Sequence, residues 1–226
     1  ECEPSRTESI MMKQQGHPDY IVVEGPIGVG KTTLAKRLAK TFDTDLMLEL
    51  AAENPFLPRF YSDPQSVALP TQLFFLFQRA KQLETLRQTD MFRPVHVSDF
   101  LIEKDKLFAS ITLDDDELAL YNQVYDRLTL DSPAPDLVIY LQAPIDILMQ
   151  RIVERDHDYE RLINRRYLKK ISEAYIEFFY YYTTAPLLIV NTNDFNLSGN
   201  DSDYNLLLKH IKHLSPGRHY FNPIEF

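Results

Sequence analysis

Residues 25–33 read Gly-Pro-Ile-Gly-Val-Gly-Lys-Thr-Thr. Gly25, Gly30, Lys31 and Thr32 satisfy the pattern GxxxxGK[ST] in full. Glycines at this spacing let the backbone curl until several N–H groups, here those of Gly28, Val29, Gly30 and Lys31, point at one phosphate chain. The start of the following helix, at Thr32 and Thr33, adds its positive dipole end. Lys31 is placed to span the β and γ phosphates, and the Thr32 hydroxyl to reach Mg²⁺. The expected ligands are a nucleoside triphosphate, taken as ATP, and Mg²⁺. Three further groups bear on phosphoryl chemistry. Glu49 closes an apolar run at 45–50, and Asp99 closes another at 93–99. Arg151 and Arg155 are four residues apart, so on a helix they share a face and can close on one anion. Between Arg151 and Lys170, seven basic side chains stand against four acidic ones, in a chain whose formal charge is −9.

The elements needed to position these groups are legible around them. Tyr20–Glu24 is a short β-rich run ahead of the loop, and Leu34, Ala35, Leu38, Ala39 and Phe42 recur behind it at helical spacing. Strands are predicted at 45–50, 93–99, 136–141 and 187–191, and helices at 69–88, 101–109, 114–128, 145–155, 162–182 and 204–213. The near-continuous apolar run at 136–141 marks a strand covered on both faces. Alternation of strands and helices predicts an α/β P-loop fold of three layers. It has a five-stranded parallel sheet, helices on both faces and an arginine-containing lid. Carboxylates at strand ends then fall at the carboxyl edge of the sheet, where ligands bind in open α/β folds.

Length and composition suit one domain: 226 residues, 44% hydrophobic and 25% charged. Residues 1–18 are polar and aperiodic and read as a flexible tail or linker, leaving 19–226 as a single domain. The acidic balance argues against general nucleic-acid binding, which needs a basic face. Apolar runs are too short to span a bilayer. Cys2 is the only cysteine, so no internal disulfide is available, and a cytoplasmic location is expected. The histidines lack metal-ligand spacing. Leu73 to Leu86 carry an apolar stripe widened by Phe74 and Phe75, which suits a homodimer or burial within the chain.

Taken together, these residues resemble the deoxyribonucleoside kinase family, especially its bacterial deoxyadenosine/deoxyguanosine kinase-like branch. The resemblance runs from about Tyr20 to Asp194. It is carried by Glu49 followed by Asn54-Pro55-Phe56-Leu57 and Phe60-Tyr61; by Gln72 seven residues before Arg79; by Phe108-Ala109; by Arg151 and Arg155 ahead of Glu160 and Tyr167-Leu168; and by Asn193-Asp194-Phe195. It implies that Glu49 takes the proton from a sugar 5′-hydroxyl and that Gln72 pairs with the base. It implies that Tyr61 and Glu160 hold the 3′-hydroxyl, and that Asp194 and Phe195 wrap the adenine of ATP. Arg79 matches a base-side arginine, with an ion-pair role equally open. The implied substrates are a deoxyribonucleoside, purine favoured, and ATP. One departure stands out. The family carries an acidic residue, Arg and Ser after the third strand, whereas this chain reads Ser98-Asp99-Phe100. Asp99 fits the acidic, Mg²⁺-binding position and the arginine is missing. His157 replaces a further lid arginine. A nucleoside monophosphate kinase and a nucleotide-binding module without turnover are the alternatives.

Overall fold

The computed structural model describes residues 18–89, 96–156, 160–193, 197, 200–212 and 214–222. In chain order the strands are β1 (Tyr20–Glu24), β2 (Asp45–Met47), β3 (His96–Ser98), β4 (Leu137–Gln142), β5 (Leu187–Asn191) and β6 (Arg218–Phe221). The helices are α1 (Lys31–Phe42), α2 (Leu57–Ser62), α3 (Pro64–Thr89), α4 (Lys104–Thr112), α5 (Asp115–Leu128), α6 (Ile145–Arg155), α7 (Arg165–Tyr181) and α8 (Asp201–Lys212). Short 3₁₀ turns lie at Ala51–Glu53 and Glu160–Leu162.

The strands form one sheet in the order β2-β3-β1-β4-β5-β6, with every pairing parallel. Side chains alternate between its two faces, as the pleat requires. Ile21, Val23, Ile139, Leu141, Leu188 and Val190 pack with Leu34 and Leu38 of α1, Leu148 and Ile152 of α6 and Leu207 of α8. Val22, Val138, Tyr140 and Ile189 face the other way, onto Leu76 and Leu83 of α3, Tyr121 of α5 and Ile171, Tyr175 and Phe179 of α7. A smaller cluster of Leu57, Phe60, Val67, Ala68 and Phe75 joins α2 to α3.

Among the described residues the sheet has six strands, not the five expected. β6 follows the Gly217 turn at the sheet edge, and only Phe221 among its residues is buried. An edge strand with one buried side chain carries almost no apolar signal. β2 is also shorter than the apolar run at 45–50. The Asp99 N–H donates to the Met47 carbonyl at 3.2 Å, and then the Asp99 carboxylate takes the Glu49 N–H at 2.7 Å, which turns the chain out of the sheet. α3 begins before residue 69 because a kink at Val67 (φ −143°) joins a short leading segment to the main helix. Pro70 lies within the first turn after that kink, where a missing N–H costs no helical bond. α5 matches its expected start, with Asp114 and Glu117 forming a reciprocal capping box.

Candidate active site

The loop between β1 and α1 turns through three glycines at positive φ: Gly25 (149°), Gly28 (87°) and Gly30 (105°). At Gly28 the constraint is steric as well, since a Cβ there would lie 2.8 Å from the Leu148 carbonyl oxygen. The sequence therefore permits a loop pressed against α6 that no other residue type could form. α1 starts at Lys31, so its N–H groups open toward the loop. The Lys31 ammonium donates to the Gly25 carbonyl at 2.8 Å. Burial, followed by the neighbouring Lys104 charge, lowers its pKa.

A cleft of about 1030 Å³ opens at the carboxyl ends of the strands. Gly28, Val29, Gly30, Lys31, Thr32 and Thr33 line one part of it. Glu49, Tyr61, Gln72, Arg79, Asp99, Arg151, Arg155 and Glu160 line the rest. Residues drawn from widely separated segments thus meet in one cavity. Gly25 does not line it, and Asp194, Phe195 and His157 lie outside the described residues.

Glu49 sits just past β2 with its side chain one-fifth exposed. Its Oε1 accepts from Arg79 Nη2 at 2.6 Å and its Oε2 from Lys104 Nζ at 2.8 Å. Burial by itself would raise its pKa, but Arg79, Lys104 and Lys31 outweigh it and hold the carboxyl well below the usual range. Arg79 also donates to Asp105, so it serves as an ion-pair residue in this arrangement, stacked near the rings of Phe75 and Phe100. Asp99 accepts from the Thr32 hydroxyl, which brings the two oxygens proposed for Mg²⁺ side by side. Burial pushes the Asp99 carboxyl up, and the bonds from Thr32 and from the Glu49 N–H pull it back. Phe100, at the position of the missing arginine, is fully buried. Gln72 donates to Thr112 Oγ1 at 3.2 Å.

The lid arginines divide. Arg151 donates to the Val29 carbonyl at 3.3 Å and to Thr192 at 2.9 and 3.1 Å, fastening the phosphate loop to the end of β5. Arg155 is more exposed and pairs with Glu160 at 3.4 Å. Four groups escaped the sequence reading: Glu24, Lys104, Asp105 and Tyr175. Glu24 is fully buried. It accepts from the Gly25 N–H at 2.9 Å, the Tyr175 hydroxyl at 2.9 Å and the Leu101 N–H at 2.8 Å. A signal for Lys104 was present, because it falls three residues after Leu101 and four before Phe108. That puts a charge on an apolar helix face.

A phosphate-binding loop, two arginines of α6 beside it and a cationically held carboxylate at the mouth of a parallel sheet point to a P-loop phosphotransferase. Comparison narrows the class. The deoxynucleoside kinase family model matches residues 21–215, and the chain belongs to that family. It is similar to a deoxyguanosine kinase of Bacillus subtilis, 36% identical over 205 residues that cover 86% of this chain and 97% of the relative. A deoxyadenosine kinase of Dictyostelium discoideum is 30% identical over 182 residues, covering 78% and 73% of the two chains. Among solved structures, deoxyadenosine kinase from M. mycoides with bound dATP shares the fold. Its TM-score is 0.74 at 22% identity, over 85% of this chain and 98% of that one. The protein is a deoxynucleoside kinase, transferring a phosphoryl group from ATP to a deoxynucleoside.

Proposed function

We propose that the acceptor is the 5′-hydroxyl of a purine deoxynucleoside, with Mg²⁺ carried on ATP. The observation behind this reading is that Glu49 and Lys31 line one cleft, the carboxylate facing the space beside the phosphate loop. The loop amides and Lys31 hold the triphosphate. Thr32 and Asp99, two hard oxygen donors already in contact, suit Mg²⁺ together with phosphate oxygens and water. Glu49 receives the hydroxyl proton. Arg151 keeps the loop in place, and Arg155 offers positive charge from the lid side. Gln72, with an adjacent donor and acceptor, suits the edge of a base, and Tyr61 with Glu160 suits the sugar. The Glu160 Oε2 atom is buried without a partner among the described residues, the state expected of a group awaiting a ligand hydroxyl. Asp194 and Phe195 complete the reading at the adenine of ATP. The preference for purines is supported by relatives named deoxyguanosine and deoxyadenosine kinases.

Among the described residues no helix is long and apolar enough to cross a membrane. A cytoplasmic homodimer is part of the same proposal, with Phe77 of α3 and Leu120 of α5 half exposed on neighbouring helices. Light scattering would test the dimer. Assay of the four deoxynucleosides and dTMP with ATP and Mg²⁺ tests the reaction. Deoxyguanosine and deoxyadenosine are expected to turn over fastest, as 5′-monophosphates. Phosphorylation of dTMP alone, or ATP binding with no turnover, would overturn the reading.

A further inference from the structure

Phosphoryl transfer spreads negative charge over the equatorial oxygens of the group in transit, and a cation beside the acceptor must meet it. Five basic side chains line the cleft among the described residues: Lys31, Arg79, Lys104, Arg151 and Arg155. Lys31 belongs to the donor side. Arg79 is divided between Glu49 and Asp105. Arg151 is spent on Val29 and Thr192, and Arg155, on the lid side, is two-fifths exposed and paired with Glu160 at 3.4 Å. Lys104 is differently placed. Its side chain is only 3% exposed, with Nζ 2.8 Å from Glu49 Oε2 and 3.5 Å from Glu24 Oε2. An ammonium has three donors. One bonds Glu49, and Glu24 draws the charge from 3.5 Å, so donor capacity remains for an oxygen in the cleft. Glu49 keeps Arg79 as a partner whether or not Lys104 remains bound to it.

We propose that Lys104 is a catalytic residue, its ammonium bridging Glu49 and a non-bridging oxygen of the phosphoryl group in transit, in the role that the buried Phe100 cannot fill. The proposal rests on the deoxynucleoside 5′-kinase reading of this cleft. The 5′-oxygen gives its proton to Glu49 and forms a bond to Pγ. The bond from Pγ to the β,γ-bridging oxygen breaks, and ADP leaves with that electron pair. Lys104 keeps its own protons throughout and follows the charge from Glu49 onto the phosphoryl oxygens.

Lys104→Met tests this by steady-state kinetics with ATP and with ATPγS, alongside circular dichroism. The expected result is a folded protein whose kcat falls about 10²–10³-fold, the usual cost of one such donor. KM for the deoxynucleoside should change little, and the ATP/ATPγS rate ratio should shrink toward one, because sulfur replaces the oxygen that Lys104 grips. A lower Tm is expected in either case, because buried Glu24 loses its cationic neighbour; a purely structural role predicts kcat per folded molecule within about tenfold and an unchanged ratio. That outcome would overturn the proposal. If Lys104→Met does not fold, the wild-type enzyme carries the test. An ATP acyl phosphate, added with deoxynucleoside, should acylate Lys104 as well as Lys31, and excess ATP should block both. Acylation of Lys31 alone would overturn the proposal. Failure of the wild type on every deoxynucleoside would sink the 5′-kinase reading and this proposal with it. An active wild type with an equally active variant sinks only the role of Lys104.

Discussion

Glu49→Gln separates charge from shape at the centre of the site. The substitution leaves the backbone bond from the Glu49 N–H to Asp99 untouched. A glutamine oxygen can still accept from either Arg79 or Lys104, but its amide must face the other cation. One charge-assisted bond is lost, worth about 1.5–3 kcal/mol. The two cations are not left stranded, because Arg79 retains Asp105 and Lys104 retains Glu24. The variant should therefore fold, with a stability loss of roughly 1–3 kcal/mol against a typical total of about 5–15 kcal/mol. Turnover should suffer more. Without a base the proton must leave unaided, at a cost of about 10²–10⁴-fold in kcat, or roughly 2.7–5.4 kcal/mol of barrier. A coupled assay of ADP release, with Tm by circular dichroism, gives both numbers on one sample. Because the interaction is made in the transition state, kcat and kcat/KM should fall together. A variant that folds and keeps kcat within about tenfold of the parent would show that Glu49 is not the base.

Other outcomes follow from the same geometry. Gly28→Ala places a Cβ 2.8 Å from the Leu148 carbonyl at φ 87°. It should destabilise by about 1–3 kcal/mol and weaken ATP binding by calorimetry, whereas an unchanged Kd would remove the loop from the triphosphate site. Asp99→Asn should raise the Mg²⁺ concentration for half-maximal rate about 10–100-fold, and an unaltered Mg²⁺ curve would exclude it as a ligand. Acid unfolding should also report on Glu49. Its folded pKa lies below its ordinary value of 4.5, so its ion pairs contribute in full above that pH and are lost as pH falls below it. Urea titrations at neutral pH and near pH ~3.5 should show the gap between wild type and Glu49→Gln narrowing in acid. A constant gap would contradict the pairing.

Much of this was written in local patterns. The phosphate loop is contiguous, so spacing alone locates it. α6 and β5 carry their periodicity within one short window and were placed to the residue. What escaped was non-local. β6 exists because β5 offers it an edge, and its own residues bury only Phe221. The turn that sets Glu49 beyond β2 depends on a carboxylate fifty residues away. Lys104 and Asp105 entered the sequence reading only as part of a helix at 101–109, and their partners lie far away in the chain: Glu49 and Glu24 for Lys104, Arg79 of α3 for Asp105. Arg79 itself matched two readings, and the ion pair with Asp105 could not be read locally because its partner lies on another helix.

The buried polar groups of the site form a ladder of alternating sign. Tyr175 donates to Glu24, Glu24 pairs with Lys104, Lys104 with Glu49, Glu49 with Arg79 and Arg79 with Asp105. A lone charge at any of these depths would be strongly unfavourable, and neutralising neighbours on both sides make each one tolerable. Burial keeps the Tyr175 hydroxyl protonated, its pKa well above 10, so it remains a donor to Glu24. Glu24 also accepts the N–H of Gly25, where the phosphate loop begins, and the N–H of Leu101, just ahead of α4. The donor-side loop and the helix that carries Lys104 and Asp105 are thus fastened to one carboxylate. Neither can shift alone without breaking a buried hydrogen bond. The loop that would hold the donor and the helix that carries Lys104 share one anchor, and charges held in this way can lower a barrier with little reorganisation.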